Sequence, residues 1–337
     1  MPPKAAILAL ALAGALSGAT PATPQQPASD FRVLVFTKTA GFRHSSIPVA
    51  IDALRELGAR NRFTVDATED AGAFTDANLR RYAVVAFVLT TGDVLEDARQ
   101  AAFQRYIRFG GGFVGVHSAS DTEYAWRWYG RLVGAYFKSH PAIQRATVVV
   151  SEPRHLSTAR LPRRWVRQDE WYNFATNPRK AVRVLATLDE ATYAAGDGAM
   201  GRDHPIAWAH RFEGGRAWYT GGGHTEESYS EPLFRAHLLG GIRYAAGLAP
   251  PSILSIVTKP RSRRIVVALR YADCPRCSGQ IAVRRPGRRV AVAMRLAGGR
   301  GRATTPALPR GRWTLVATVK NQANGRQAVV RKSVRIR

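Results

Sequence analysis

The chain has 337 residues, 45% of them apolar, with 50 Lys and Arg against 24 Asp and Glu and a formal charge of +26. Such a length holds two domains or one large one, and the apolar fraction excludes a disordered chain. Residues 251–337 hold 21 basic residues and a single acid, Asp273, for a net +20, so residues 1–250 carry only +6 and the overall basicity is no argument for a nucleic-acid enzyme.

The chain opens Met-Pro-Pro-Lys, continues apolar to Leu16 and passes into small residues up to Ala22. A cationic start, a short apolar run and a small-residue cleavage region predict a secretory signal peptide over residues 1–22, hence a secreted or envelope location. The run is shorter than the ~20 residues of a membrane span. Residues 23–30 form a polar leader.

Residues 31–36 (FRVLVF) predict a strand followed by a loop to Ser46. Residues 48–57 have helical spacing, with Gly58 to end the helix. Residues 63–67 and the apolar runs 84–89 (VVAFVL) and 113–116 are further strands, the apolar runs being covered on both faces. Residues 96–109 form a helix closed by Gly110-Gly111-Gly112. Strands alternating with helices argue for a parallel α/β sheet. Residues 146–150 and 183–188 read as strands, 206–210 and 216–220 as a hairpin, and 231–246 as a closing helix with Phe234, Leu238, Ile242 and Ala245 on one face.

A linker over 249–252 separates this domain, residues 31–248, from residues 253–337. There, short stretches alternate apolar residues with polar residues or Arg, between Pro-Gly, Gly-Gly and Asn-Gly turns. This pattern predicts a small all-β, immunoglobulin-like sandwich with arginines on its outer faces. Both cysteines, Cys274 and Cys277, lie in this part. That excludes a cysteine nucleophile, a Cys-ligated zinc and an iron–sulfur cluster in residues 1–250. Their spacing suits a local loop staple.

In an open parallel sheet, ligands bind beyond the carboxyl ends of the strands. Three loops leaving such ends carry histidine: 41–46 (GFRHSS), 117–122 (HSASDT) and 221–226 (GGGHTE). The second, Gly115-Val116-His117-Ser118-Ala119, has the form of a nucleophile elbow with histidine in the central place.

Several motifs in register carry a family resemblance: GFRHSSI (41–47), GGGFVGVHSASDT (110–122), SHP (139–141), DEWYNF (169–174), HPIAW (204–208) and GRAWYTGGGHTEESY (215–229). Over residues 31–247 the chain resembles the ThuA-like, or trehalose-utilisation, family. The resemblance implies a twisted α/β sheet like that of class I glutamine amidotransferases, a flavodoxin-like fold. It also implies an elbow residue paired with a downstream His-x-Glu, here His224-Thr225-Glu226. The amidotransferase elbow carries cysteine and this chain has His117, so thiol-based glutaminase chemistry is excluded. The family association implies a carbohydrate substrate, an oxidised 3-keto disaccharide or glycoside above all.

His117, His224, Glu226 and Glu170 are the candidate catalytic residues, with Glu226 expected to orient His224. His44, His140, Trp171 and Tyr172 are candidate substrate-binding residues, the two aromatics by stacking on a sugar ring. His204 reads as structural, Asp121 as a helix cap, and His155, His210 and His237 have no supporting context. His44, His117, His140, His224 and Glu170 suit a divalent metal in ligand type, but no short His-x-x-x-His spacing accompanies them. No cofactor is therefore assigned, and metal content stays open. Together with these residues, the resemblance implies a hydrolase or lyase on keto-glycosides; the rival reading is a non-catalytic carbohydrate-binding protein. For the cationic part, an anionic envelope polymer is the expected partner, against a passive spacer or nucleic acid.

Overall fold

A computed structural model describes residues 31–248, 252–272, 277–321 and 327–336. The segments read as signal peptide and leader, and residues 249–251 of the linker, lie outside these.

The first unit opens with β1 (Phe31–Phe36), α1 (Ile47–Asn61), β2 (Phe63–Thr68), α2 (Asp76–Leu79) and β3 (Val84–Val88). It continues through α3 (Asp97–Arg108), β4 (Gly112–Val116), α4 (Arg127–Val133), β5 (Phe137–Ser139), β6 (Gln144–Val150), β7 (Arg164–Asp169) and β8 (Asn173–Phe174). It closes with β9 (Arg183–Asp189), β10 (His204–Phe212), β11 (Gly215–Thr220) and α5 (Pro232–Ala245). The expected hairpin is β10–β11. α1 runs past Gly58: Arg62 ends it in the left-handed conformation, donating its N–H to the Gly58 carbonyl.

Nine strands form one mixed sheet in the order β2-β1-β3-β4-β11-β10-β9-β6-β7, and β5 pairs with β8 apart from it. From β2 to β11 the pairing is parallel, and from β11 outward each step reverses direction. Four reversals return β7 to the direction of β11. The carboxyl ends of β1, β4, β11 and β7 therefore share one sheet edge. Every residue of β3 and β4 is buried, as continuous apolar strands under helices on both faces require. Close packing of α5 on β4 depends on Gly112, where a Cβ would lie 2.4 Å from the Ala245 carbonyl oxygen.

The cationic unit contains β12 (Ser252–Arg261), β13 (Arg264–Ala272), β14 (Cys277–Arg285), β15 (Arg288–Ala297), β16 (Arg300–Thr304), β17 (Gly311–Asn321) and β18 (Gln327–Ile336). It is all-β, but not the expected immunoglobulin-like pair of stacked sheets. One antiparallel sheet runs β12-β13-β16-β15-β14-β17-β18, and its edge strands β12 and β18 lie against each other. Such a nearly closed barrel buries one face of every strand, which gives the same alternating sequence pattern as a sandwich. Its core, around Ile265, Val267, Ile281, Val283, Trp313, Leu315 and Val319, shares no residue with the core of the first unit. Cys277 is disulfide-bonded, and Cys274, the chain's other cysteine, lies outside the described residues.

Candidate functional site

The loops after β1, β4 and β11 bring His44, His117 and His224 together, with ring centroids 5.0–5.1 Å apart. The elbow expectation holds in the backbone. His117 follows β4 directly and adopts φ +52°, a left-handed conformation rare for a residue with a Cβ. Its small neighbours make room: Ala119 is fully buried, and a Cβ on Gly115 would lie 2.9 Å from the Tyr219 ring.

His117 is wholly buried. Its Nδ1 lies 2.9 Å from the Gly221 carbonyl oxygen. A carbonyl only accepts, so this contact places a hydrogen on Nδ1 and turns Nε2 toward the site.

Glu170 follows β7 and is the hub of the cluster. Its Oε2 lies 3.2 Å from His224 Nδ1 and 3.3 Å from His117 Nε2, and its Oε1 lies 3.1 Å from His140 Nδ1. Burial pushes the Glu170 carboxyl up, but the hydrogen bonds and charges of His117 and His224 outweigh it and hold the group well below the usual carboxylate range. Burial alone would lower His224; its contact with Glu170 outweighs this and raises it. His44 is pushed down to about 3 by burial, reinforced by His117 and His224, and is neutral. Its buried Nδ1 has no hydrogen-bond partner among the described residues.

A second carboxylate fixes the loops. Asp169, the last residue of β7, is completely buried. Its Oδ1 accepts from the backbone N–H of Glu170 and of His224, and its Oδ2 accepts from the N–H of Gly223 and from Arg167. Arg167 in turn binds Glu231 and Ser228. Ser46 Oγ donates to the His224 carbonyl at 2.7 Å, tying the first loop to the third. Sequence reasoning passed over Asp169, Arg167 and Ser46 as site residues. Two short-range signals existed: Arg167 and Asp169 share one face of a strand, and Asp169 adjoins Glu170.

Four expected assignments change. Glu226 is exposed, and the carboxylate that meets His224 is Glu170, because the turn after Gly223 carries residue 226 outward. Trp171 is 1% exposed and donates its indole N–H to the Gln144 carbonyl, so it cannot stack on a ligand. Tyr172 is buried against His117, centroids 4.0 Å apart, where it walls the imidazole. Exposed aromatics beside the cluster include Phe42, 65% exposed and set edge-on to His44, and Tyr124, whose hydroxyl donates to Asp121. Asp121 makes that contact and does not cap α4. His140 stands exposed at the mouth. His204 is structural as expected: its Nε2 donates to the Tyr172 carbonyl while its Nδ1 faces Glu190, which holds the 169–174 segment in place.

The nitrogen donors of His44, His117 and His224 all lie within 4.8 Å of one another. Three imidazoles, the orphaned Nδ1 of His44 and a carbonyl on the far nitrogen of His117 fit a zinc-class ion in donor type. A separate cavity of about 680 Å³, lined by Tyr82, Tyr106, Phe109 and Arg216, lies at the other end of the sheet and contains none of these groups.

Residues 32–245 match the family model ThuA, described as trehalose utilisation. A ThuA-like protein from Bacteroides uniformis is similar in structure with a TM-score of 0.56 at 24% identity, covering 67% of this chain and 94% of that one. Another, from Parabacteroides merdae, gives 0.55 at 19% identity, covering 69% and 94%. No curated protein matches the chain.

Proposed function

The chain belongs to the ThuA family, described as trehalose utilisation, and from that premise we propose that it breaks down an oxidised, 3-keto glycoside by acid–base chemistry on His224, His140 and Glu170. One observation carries the reading: the two oxygens of a single carboxylate stand 3.2 Å from His224 Nδ1 and 3.1 Å from His140 Nδ1, the latter also lying 3.0 Å from the Pro141 carbonyl oxygen. Both Nε2 atoms are thereby left for a substrate. His224 is partly exposed and His140 more so, whereas His117 is buried and acts by positioning Glu170.

A carbonyl at C3 of a sugar acidifies the hydrogen on C2. Neutral His224, oriented by Glu170, takes that hydrogen as a proton. The electron pair forms the C1–C2 double bond as the C1–O glycosidic bond breaks. The departing oxygen receives a proton from His140. Addition of water to the unsaturated product would complete hydrolysis. Positioned acid–base groups of this kind contribute about 10²–10⁴ in rate. Phe42, at the rim, is the stacking platform for the ring. The N-terminal sequence supports action outside the cytoplasm.

The test is incubation of the mature protein with trehalose and with 3-keto-trehalose. Monosaccharide release from the keto sugar alone, lost in His224→Ala and Glu170→Gln, is the expected result. Binding without release would favour a carbohydrate-binding protein and end the enzymatic reading.

A second reading rests on the three convergent imidazoles: His44, His117 and His224 hold a divalent ion that supplies Lewis acidity at the same mouth. Metal analysis of the same sample separates the two. A stoichiometric metal, lost in His44→Ala, would support it.

A further inference from the structure

Arginine is treated differently in the two units. In the first, many exposed guanidinium groups meet carboxylates, among them Arg32 with Asp66, Arg43 with Glu69, Arg105 with Asp76 and Arg164 with Asp189. Residues 252–336 contain no glutamate and only one aspartate, Asp273, which lies outside the described residues. Among the described residues of the barrel there is no ion pair.

The strand register sets arginine against arginine. Arg270 of β13 is directly opposite Arg300 of β16, and Arg302 of β16 is directly opposite Arg295 of β15. Arg300 and Arg302 are two residues apart on one strand, so they project to the same side. All four are exposed, while Leu269, Gly301 and Met294 beside them point into the barrel. Four guanidinium groups thus stand on one outer patch, with directly opposed stems about 5 Å apart. Like charges in that arrangement are destabilising, and no residue of the patch relieves them. An external anion with repeated charges does. Arg also presents planar forks that take carboxylate or sulfate oxygens two at a time.

We propose that this patch, Arg270, Arg295, Arg300 and Arg302, binds an anionic polysaccharide. The outer-face residues beside it are uncharged and mostly small: Ala268, Ala293, Ala297 and Thr304, with Val257 and Val266 next to them. Among the described residues of this outer face no aromatic side chain offers a base a stacking surface, as proteins that bind single-stranded nucleic acid use. Binding of a polyanion follows from the barrel alone. The choice of polysaccharide rests on the carbohydrate reading of the first unit.

The experiment uses the full mature chain and measures affinity for polygalacturonate, with duplex DNA and neutral dextran as comparators. The patch variant R270Q/R295Q/R300Q/R302Q is set beside R127Q/R154Q/R160Q/R202Q, which removes equal charge from exposed positions of the first unit. The chain should bind polygalacturonate and not dextran, with affinity falling linearly in log salt. Affinity should drop about ten-fold or more in the patch variant and little in the other. Equal losses in both would reduce the effect to net charge and overturn the site. Tighter, patch-dependent binding of DNA would overturn the polysaccharide. Turnover of 3-keto-trehalose, measured on the same variants, should be unchanged, which keeps failure of this site distinct from failure of the catalytic reading.

Discussion

At the scale of single residues, the site depends on where one carboxylate stands. Glu170 touches three imidazoles, and replacing it by Gln removes the charge while keeping the shape. Turnover on a keto-glycoside should fall by about 10²–10⁴, and the thermal midpoint at neutral pH should fall too, because the buried carboxyl is held below its usual range by His117 and His224 and its charge therefore stabilises the fold. Parallel kinetics and melting curves check this. Phe42 gives a different outcome. Being largely exposed, it adds little to stability, so Phe42→Ala should raise KM and leave kcat and the fold alone if the ring is a sugar platform. The histidines were legible as candidates because each ends a strand in a glycine-rich loop. Their individual roles were not. Whether a carboxylate meets His224 from two residues away or from a distant strand is invisible in one dimension, and the nearer one, Glu226, proved to face solvent.

Among the elements, β7 is the one that makes the site rigid. It delivers Arg167, Asp169 and Glu170 to the edge where β4 and β11 end. Asp169 is buried with five backbone or side-chain donors on it, and Arg167 is buried beside it. Asp169→Asn leaves the Arg167 cation short of a partner in the interior, which should lower stability by about 3 kcal/mol. It should also loosen the Gly223–His224 turn, so activity would be lost beyond what unfolding explains. Denaturant titration together with specific activity of the folded fraction tests both. The strands of the parallel half were legible from their apolar runs. β7 was not, because its alternating Arg-Trp-Val-Arg-Gln-Asp pattern belongs to a sheet edge that only the reversals from β11 to β7 place at the site.

For the whole molecule, two separate cores predict that residues 31–248 fold alone. A fragment with a cooperative melt and the full chain's keto-glycoside activity would bear this out. Acid stability is set partly by α5, whose His237 is fully buried with Nδ1 on the Ser157 carbonyl. Burial lowers it from 6.5 to about 4. The unfolded chain therefore binds a proton that the folded chain refuses, and stability falls as pH drops from 6.5 toward 4, by about 2 kcal/mol at pH 5. Comparing unfolding free energies at pH 7 and pH 5 should show that loss in the native chain and its removal in His237→Asn. By itself the sequence determined the two-unit division, the α/β character of the first unit, the family, and the loops that hold the histidines, because periodicity, composition and contiguous motifs are local properties. Tertiary structure alone decided that Glu170 joins His117, His140 and His224, that Trp171 is walled in, that the second unit curls into one sheet, and that its arginines face each other. Each of these depends on strand order and register, which bring together residues tens of positions apart and leave no mark on their neighbours in the chain.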